Sequence, residues 1–250
     1  MHRPVSPFRR LLSFAAVFVL LFSFLFSGCH QLLPPPPVST HEPGSYVENI
    51  DALDVYYRFI YTLESAEIEK RIINANDLYG ILSSTLSTVK YSRSGETVRL
   101  LYRERAPFVF FFYPAYDYYD GANYYYQYDG NWFADSTNRH AYYLTPDFLG
   151  IPVDIFSNYD ITFNGLYKNG DEYILKIQGK HHETGMLCEI TGKADNTLSI
   201  TLLEIIEEYS SKNDRIDQKR TVIEYKNING DIEIEPPSSL DFDEVTYFTH

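Results

Sequence analysis

The sequence predicts an α+β fold in which a curved antiparallel sheet is covered by N-terminal helices. Between residues 46 and 82, apolar side chains recur at spacings of three and four, which is typical of amphipathic helices. From about Leu86 onward the apolar period changes to two, and short turns separate the segments, as in antiparallel strands. The 23 Tyr and 17 Phe favour the same fold class, because aromatic residues suit half-buried pleated surfaces.

Two helices are predicted at the start of the folded region. The first begins at a capping box in residues 45–48, where a Ser precedes a Glu by three positions, and it extends to about Leu63. The second covers residues 66–82, with Ile68, Ile72, Ala75 and Tyr79 on one face. Both helices would cover the apolar face of the sheet.

The strands are delimited by turn dipeptides. Asp-Gly at 120–121 and at 129–130 and Asn-Gly at 169–170 favour hairpins. The apolar run at 107–113 is typical of a strand buried on both faces. Further strands are predicted at residues 124–128, 161–167, 173–178, 186–191, 197–209 and 219–227. Residues 210–218 are predicted to be an exposed connection, and the prolines at 236–237 to end the domain.

The first 28 residues have the composition of a signal peptide. Residues 1–10 are basic, and residues 11–26 are uncharged and almost entirely apolar. As a helix, residues 11–26 would span roughly 24 Å, less than the ~30 Å of a hydrocarbon core. This length favours a cleaved leader, with an uncleaved signal anchor as the alternative.

The residues that follow the leader predict a lipid anchor and a tether. Phe26-Ser-Gly-Cys29 resembles the lipobox of bacterial lipoproteins, with Phe26 in the place of the usual Leu. The resemblance implies that the Cys29 thiol carries a diacylglycerol, whose two acyl chains suffice for stable attachment. Residues 29–45 contain Pro34–Pro37, which prefers polyproline II, and could reach at most ~60 Å. The organisation expected is a signal peptide (1–28), a tether (29–45), a folded domain (46–237) and a flexible tail (238–250).

The charge of the chain argues against nucleic acid as a partner. The formal net charge is −13. Without the three arginines of the leader it is −13 − 3 = −16. A body this acidic is repelled by phosphate backbones and by anionic lipid headgroups. The membrane partner would therefore be held through the lipid on Cys29 and not through a basic face.

Two further motifs carry a family resemblance. The strand pair at 120–132 is DGANYYYQYDGNW, and the segment at 222–236 is VIEYKNINGDIEIEP. With the lipobox and tether, residues 46–237 resemble the half-barrel lipoproteins related to the LolA and LppX carriers. The resemblance implies a strongly curved sheet wrapped round a helix, with an apolar cavity that holds lipids, lipidated proteins or other hydrophobic ligands. Some relatives are sensors or protein-binding modules. The predicted helical region 64–85 departs from the family, which has a strand hairpin there.

No residues predict an enzyme or a cofactor. The sequence has no Gly-rich phosphate loop, HExxH, CxxC or nucleophile elbow. His181 and His182 would point to opposite faces of a strand, which disfavours a metal site. Cys188 is interpreted as an inert buried thiol. The remaining acids that could pair, Asp117, Asp120, Glu204, Glu207 and Glu208, are interpreted as a solvated face.

The candidate ligand-binding residues are aromatic. They share the Phe-rich run or the Tyr-rich hairpin, and comprise Phe108, Phe110, Phe112, Tyr118, Tyr124, Tyr126 and Trp132. One hypothesis is a lipid-anchored extracytoplasmic protein that holds a hydrophobic ligand in a half-barrel. The alternative is a cell-surface interaction or sensor module, with a filled core and a Tyr-rich acidic face for an envelope protein.

Overall fold

The computed structural model describes residues 44–76, 80–95, 97–105, 115–135, 157–210 and 216–248. The predicted leader, Cys29, most of the tether and the 107–113 run lie outside these ranges. The one helix of the described ranges is α1 (Ala52–Thr62). The strands are β1 (Ser45–Tyr46), β2 (Ser65–Asn76), β3 (Gly80–Ser94), β4 (Thr97–Arg105), β5 (Ala115–Tyr119), β6 (Tyr124–Tyr128), β7 (Asn131–Asp135), β8 (Tyr159–Asn169), β9 (Glu172–His181), β10 (Leu187–Ala194), β11 (Ile200–Ser210), β12 (Ile216–Lys226) and β13 (Thr246–Phe248).

All these strands belong to one curved, unclosed sheet. Their order is β1-β8-β9-β10-β11-β12-β2-β3-β4-β5-β6-β7-β13. Neighbours are antiparallel except β13, which pairs in parallel with β7. The predicted curved antiparallel sheet is therefore present, with a single described helix in place of the two predicted. No helix within the described ranges has the length and hydrophobicity needed to cross a membrane.

The predicted first helix is shorter than expected. Residues 45–46 form β1, which pairs with β8, so the predicted capping box is wrong. The helix instead begins after Asp51, whose side chain makes no capping hydrogen bond. Its apolar residues recur at helical spacing and are buried: Ala52, Val55, Tyr56, Phe59 and Ile60.

The predicted second helix, residues 66–82, is also wrong, because residues 66–76 belong to β2 and residues 80–82 belong to β3. β2 lies between β12 and β3 and is hydrogen-bonded on both sides. Ile68 and Ile72 are four residues apart, a spacing that fits a helix face and one face of a strand equally well. Because β2 pairs with a strand on each side, these residues are a strand and not a helix. β2 and β3 correspond to the strand hairpin that the family resemblance implies.

The sheet has two faces, which we call the helix face and the outer face. On the helix face, α1 packs against a core that extends across β8–β12 and β2–β4. Leu100, Leu166, Leu175, Leu203 and Ile223 are wholly inaccessible to solvent there. The ring of Phe59 lies edge-on to that of Tyr225, with centroids 5.0 Å apart. This packing holds the helix on one half of the face.

The chain after β12 crosses the outer face. Ile234, Leu240 and Val245 are buried against the outward-facing residues of β4–β7, and β13 then joins the edge of the sheet. Ordered sheet structure thus includes residues that the sequence placed in the tail. Likewise, residues 216–218, predicted to be an exposed connection, start β12, where Asp217 is buried.

Candidate functional site

The helix face continues beyond α1 onto β4–β7, and this region is the candidate site. Strand register aligns Tyr102, Asp117, Tyr126 and Phe133 across four neighbouring strands. Side chains directly opposite one another in a sheet point to the same face. Tyr124 occupies the next position of that face on β6. The site therefore consists of aromatic side chains with one carboxyl group among them.

The aromatic side chains form a stacked ladder. The ring centroids of Tyr124 and Tyr126 are 5.9 Å apart with planes at 25°. Those of Tyr126 and Phe133 are 5.5 Å apart at 24°. Tyr124 is buried, whereas Tyr126 and Phe133 are half-buried. Aromatic pairs of this kind present a rigid, mainly apolar surface with hydroxyl groups at its margin.

The carboxyl group of Asp117 is desolvated at this surface. The pKa of Asp117 is raised to about 6, chiefly by burial and in part by the nearby Glu104 carboxylate, against a hydrogen bond from Tyr124 that lowers it. Near pH 6 the Asp117 side chain is therefore divided between its neutral and charged forms. It can donate a hydrogen bond in the first form and accept one in the second.

Glu104, Tyr102 and Lys70 complete a polar group beside the ladder. The hydroxyl of Tyr102 donates to Glu104 Oε2 at 2.6 Å, and burial together with this carboxylate raises the Tyr102 pKa. Lys70 lies in line with Glu104 across β3, where the small Ser87 intervenes. Burial lowers the pKa of Lys70, and the charge of Lys219 lowers it further. The region can thus contact an apolar chain and a polar head in the same molecule.

The predicted ligand-binding residues are divided between the two faces. Tyr124 and Tyr126 lie on the helix face. Tyr118 is opposite Tyr125, and both are buried on the outer face with Trp132 under the C-terminal segment. Phe108, Phe110 and Phe112 lie outside the described residues. The structure thus brings together two of the seven predicted residues and adds Tyr102, Glu104, Asp117 and Phe133.

The sequence contained only a partial signal for the polar group. Asp117 is one of the acids that the sequence assigns to a solvated face, whereas in the structure it is half-buried. The sequence does not indicate Lys70 as a site residue when residues 66–82 are predicted to be a helix. With β2 recognised, Lys70 interrupts the face formed by Ala66, Ile68 and Ile72, and a lysine on such a face is a signal for a functional or paired charge.

The other candidates in the sequence have structural partners. Glu204 forms a buried ion pair with Arg220, and Glu207 bonds Lys219 at 2.9 Å. His182 lies 3.2 Å from Asp160 at the surface. Within the described ranges, no group of three or more His, Cys, Asp or Glu side chains is arranged to hold a metal ion.

No family model matches the chain, and no curated protein sequence matches it. Similar solved structures include LprF from Mycobacterium bovis, with 12% identity over 78% of this chain and 99% of that chain, at a TM-score of 0.41. They also include MucB in complex with MucA(peri), with 7% identity over 75% of this chain and 59% of that chain, at a TM-score of 0.37. A LolA superfamily protein from Nitrosomonas europaea is also similar, with 10% identity over 75% of this chain and 96% of that chain, at a TM-score of 0.30. The matches include the class that the sequence resembles. Because these TM-scores lie below 0.5, we base the fold on strand order and register and transfer no ligand from these proteins.

Proposed function

We propose that the chain is a lipid-anchored extracytoplasmic binding protein that holds a hydrophobic or amphipathic ligand on the helix face of its sheet. The observation that carries the proposal is the ladder of Tyr124, Tyr126 and Phe133 beside the desolvated Asp117. Binding sites for small molecules commonly combine apolar and aromatic walls with a few polar groups. The ladder supplies the wall, and Asp117 with its neighbours supplies the polar groups.

The anchor is the second component of this proposal. The lipobox at 26–29 supports attachment through two acyl chains on Cys29. Intact-mass measurement of protein expressed with its own leader tests it: a diacylglyceryl-modified N-terminus is expected, and Cys29→Ser should lack that mass. An unmodified wild-type terminus would contradict the anchor and leave the binding site to be tested separately.

Ligand binding is tested by native mass spectrometry of protein extracted in mild detergent. Wild-type protein should retain a noncovalent lipid, and Tyr126→Ala should lose most of it. Tyr128→Ala is a matched control, because Tyr128 is on the same strand and face but is 71% exposed at its end. Thermal unfolding of both variants separates loss of ligand from loss of fold. Equal retention in all three proteins would place the ligand elsewhere.

A protein-interaction module is the second candidate, and exposed aromatic residues favour it. Tyr128 and Tyr247 are 71% and 53% exposed, and Phe242 is 45% exposed. Tyr128 lies on the helix face at the β6–β7 turn. Tyr247 and Phe242 lie together on the outer face, where both contact Tyr125, in a chain of net charge −13. A basic envelope protein would fit such a surface. Pull-down with Tyr247→Ala tests it: partner recovery should fall, and unchanged recovery would exclude this surface.

A further inference from the structure

The outer face of the sheet contains a groove lined by a basic side chain, Arg103, and by apolar side chains. It has a volume of about 310 Å³ and is lined by residues of β2, β3, β4, β5 and β12. The groove forms because side chains of unequal length are neighbours across the sheet. Four residues pair in succession across four strands: Glu69, Thr88, Arg103 and Tyr116. Thr88 is short and lies between two long side chains, so the surface is hollow above it.

Arg103 is the distinctive side chain of this groove. Its guanidinium lies over the Tyr116 ring, 5.4 Å from the centroid. Its Nε is buried and has no hydrogen-bond partner among the described residues. A buried guanidinium N–H without an acceptor is unfavourable, and the cation–π contact with Tyr116 restrains the position of the guanidinium. The group is therefore preorganised for an oxyanion that approaches from the groove.

The other lining residues indicate the apolar part and the charge of a ligand that fits the groove. Leu101 and the Tyr116 ring provide an apolar wall. Lys90 lies at the rim, where its Nζ donates to the Glu233 carbonyl oxygen at 3.5 Å. Glu67 and Glu69 line the groove from β2. Lys226 lines the groove from β12, so the three basic side chains of the lining exceed its two carboxylates by one charge. This excess matches a singly charged carboxylate better than a doubly charged phosphate.

We infer that this groove is a second binding site, for a small carboxylate with a short apolar chain, in which Arg103 binds the carboxylate and Leu101 and Tyr116 contact the chain. The site is on the face opposite α1. It is therefore independent of the proposed helix-face site, and either one can fail without the other.

Titration calorimetry with hexanoate at pH 7.4 tests the inference. The full chain is used in lipid nanodiscs, with empty nanodiscs as the blank and hexanamide as a neutral probe of the same shape. Wild-type protein should bind hexanoate and not hexanamide. Arg103→Gln should weaken binding by about tenfold or more, because charge-assisted bonds to a carboxylate are lost. Arg99→Gln, the same change of charge on an exposed position of the same strand, should have no effect.

Three further variants keep the test decisive if Arg103→Gln unfolds. Thr88→Phe fills the hollow from an exposed position and should abolish binding, whereas Thr88→Ser should preserve it. Glu69→Gln removes a repulsive charge and should tighten hexanoate binding. No hexanoate binding up to about 10 mM, equal binding of hexanamide, or binding unchanged by Arg103→Gln and Thr88→Phe would each overturn the inference.

Discussion

Leu53 and Asn164, which are 111 residues apart in the chain, are joined by a 2.9 Å hydrogen bond from the Leu53 amide to Asn164 Oδ1. The first amides of a helix have no partner within it. Here a strand residue of β8 supplies the acceptor that Asp51 does not. At the other end of α1, Asn229 Nδ2 donates to the Thr62 carbonyl at 3.2 Å, and its Oδ1 accepts from the Glu64 amide at 2.7 Å. Asparagines distant in sequence thus fix both ends of the helix.

Asn164→Ala should lower the free energy of unfolding by about 1 kcal/mol, because the Leu53 amide loses its acceptor. Urea denaturation measures this change. Asn164→Asp keeps an acceptor oxygen and adds a negative charge near the helix N-terminus, so it should be milder. Asn196→Ala, in an exposed turn, is the control. Equal stability of Asn164→Ala and Asn196→Ala would contradict the capping role.

Asn229→Gly should lower the free energy of unfolding by about 1–2 kcal/mol, because it removes three side-chain hydrogen bonds, to the Thr62 carbonyl and from the Glu64 and Ser65 amides. Glycine is the appropriate replacement, since Asn229 has a φ of 53° and another side chain would add backbone strain. Chemical denaturation gives the value. Hydrogen exchange should show faster exchange at the Glu64 amide, and unchanged exchange there would argue against the contact.

Asp117→Asn should change the pH dependence of stability. The pKa of Asp117 is raised to about 6 in the folded protein, against ~3.9 in an unfolded chain. The folded state therefore binds the proton more tightly, and its stability falls as pH rises from about 4 through 6. The titration of Asp117 lowers the free energy of unfolding by at most about 3 kcal/mol over this pH range.

The Asn variant lacks this titration and should gain stability relative to wild type as pH rises from 4 to 7. Denaturation at pH 4, 5, 6 and 7 measures the difference. Asp129→Asn, at an exposed turn position, controls for the change of net charge. A difference between Asp117→Asn and wild type that does not vary with pH would contradict the desolvation of Asp117.

Cys188 should be unreactive in the native protein. The pKa of its thiol is raised to about 12, chiefly by burial and in part by the charge of Glu207, so almost no thiolate is present at neutral pH. In a Cys29→Ser background, a disulfide reagent should label Cys188 slowly in buffer and rapidly in denaturant. Rapid labelling without denaturant would contradict its buried position.

The turns and most strands were predictable because their signals are local. Asp129 and Gly130 both have positive φ, as the Asp-Gly dipeptide indicated. The identity of β2 was not predictable in this way. Its two neighbours are β3 and β12, and the distant β12 pairing, such as Ile223 with Lys70, is invisible to a periodicity that reads nearby residues.

The division of the aromatic residues between two faces could have been predicted from turn length. A two-residue turn at 129–130 makes Tyr128 the partner of Asn131, which in turn pairs Tyr126 with Phe133 and Gln127 with Trp132. Tyr126 and Trp132 must then point to opposite faces. Residue type alone does not reveal this division. The desolvation of Asp117 depends on tertiary packing and could not be inferred locally.

The most direct test of the proposed function is native mass spectrometry of the wild-type protein and the Tyr126→Ala and Tyr128→Ala variants, each expressed with its own leader. The proposal predicts a noncovalent lipid on wild type and Tyr128→Ala that is largely lost from Tyr126→Ala, with all three proteins folded. Absence of bound lipid from the wild type, together with failure of a fluorescent lipid analogue to bind, would contradict it.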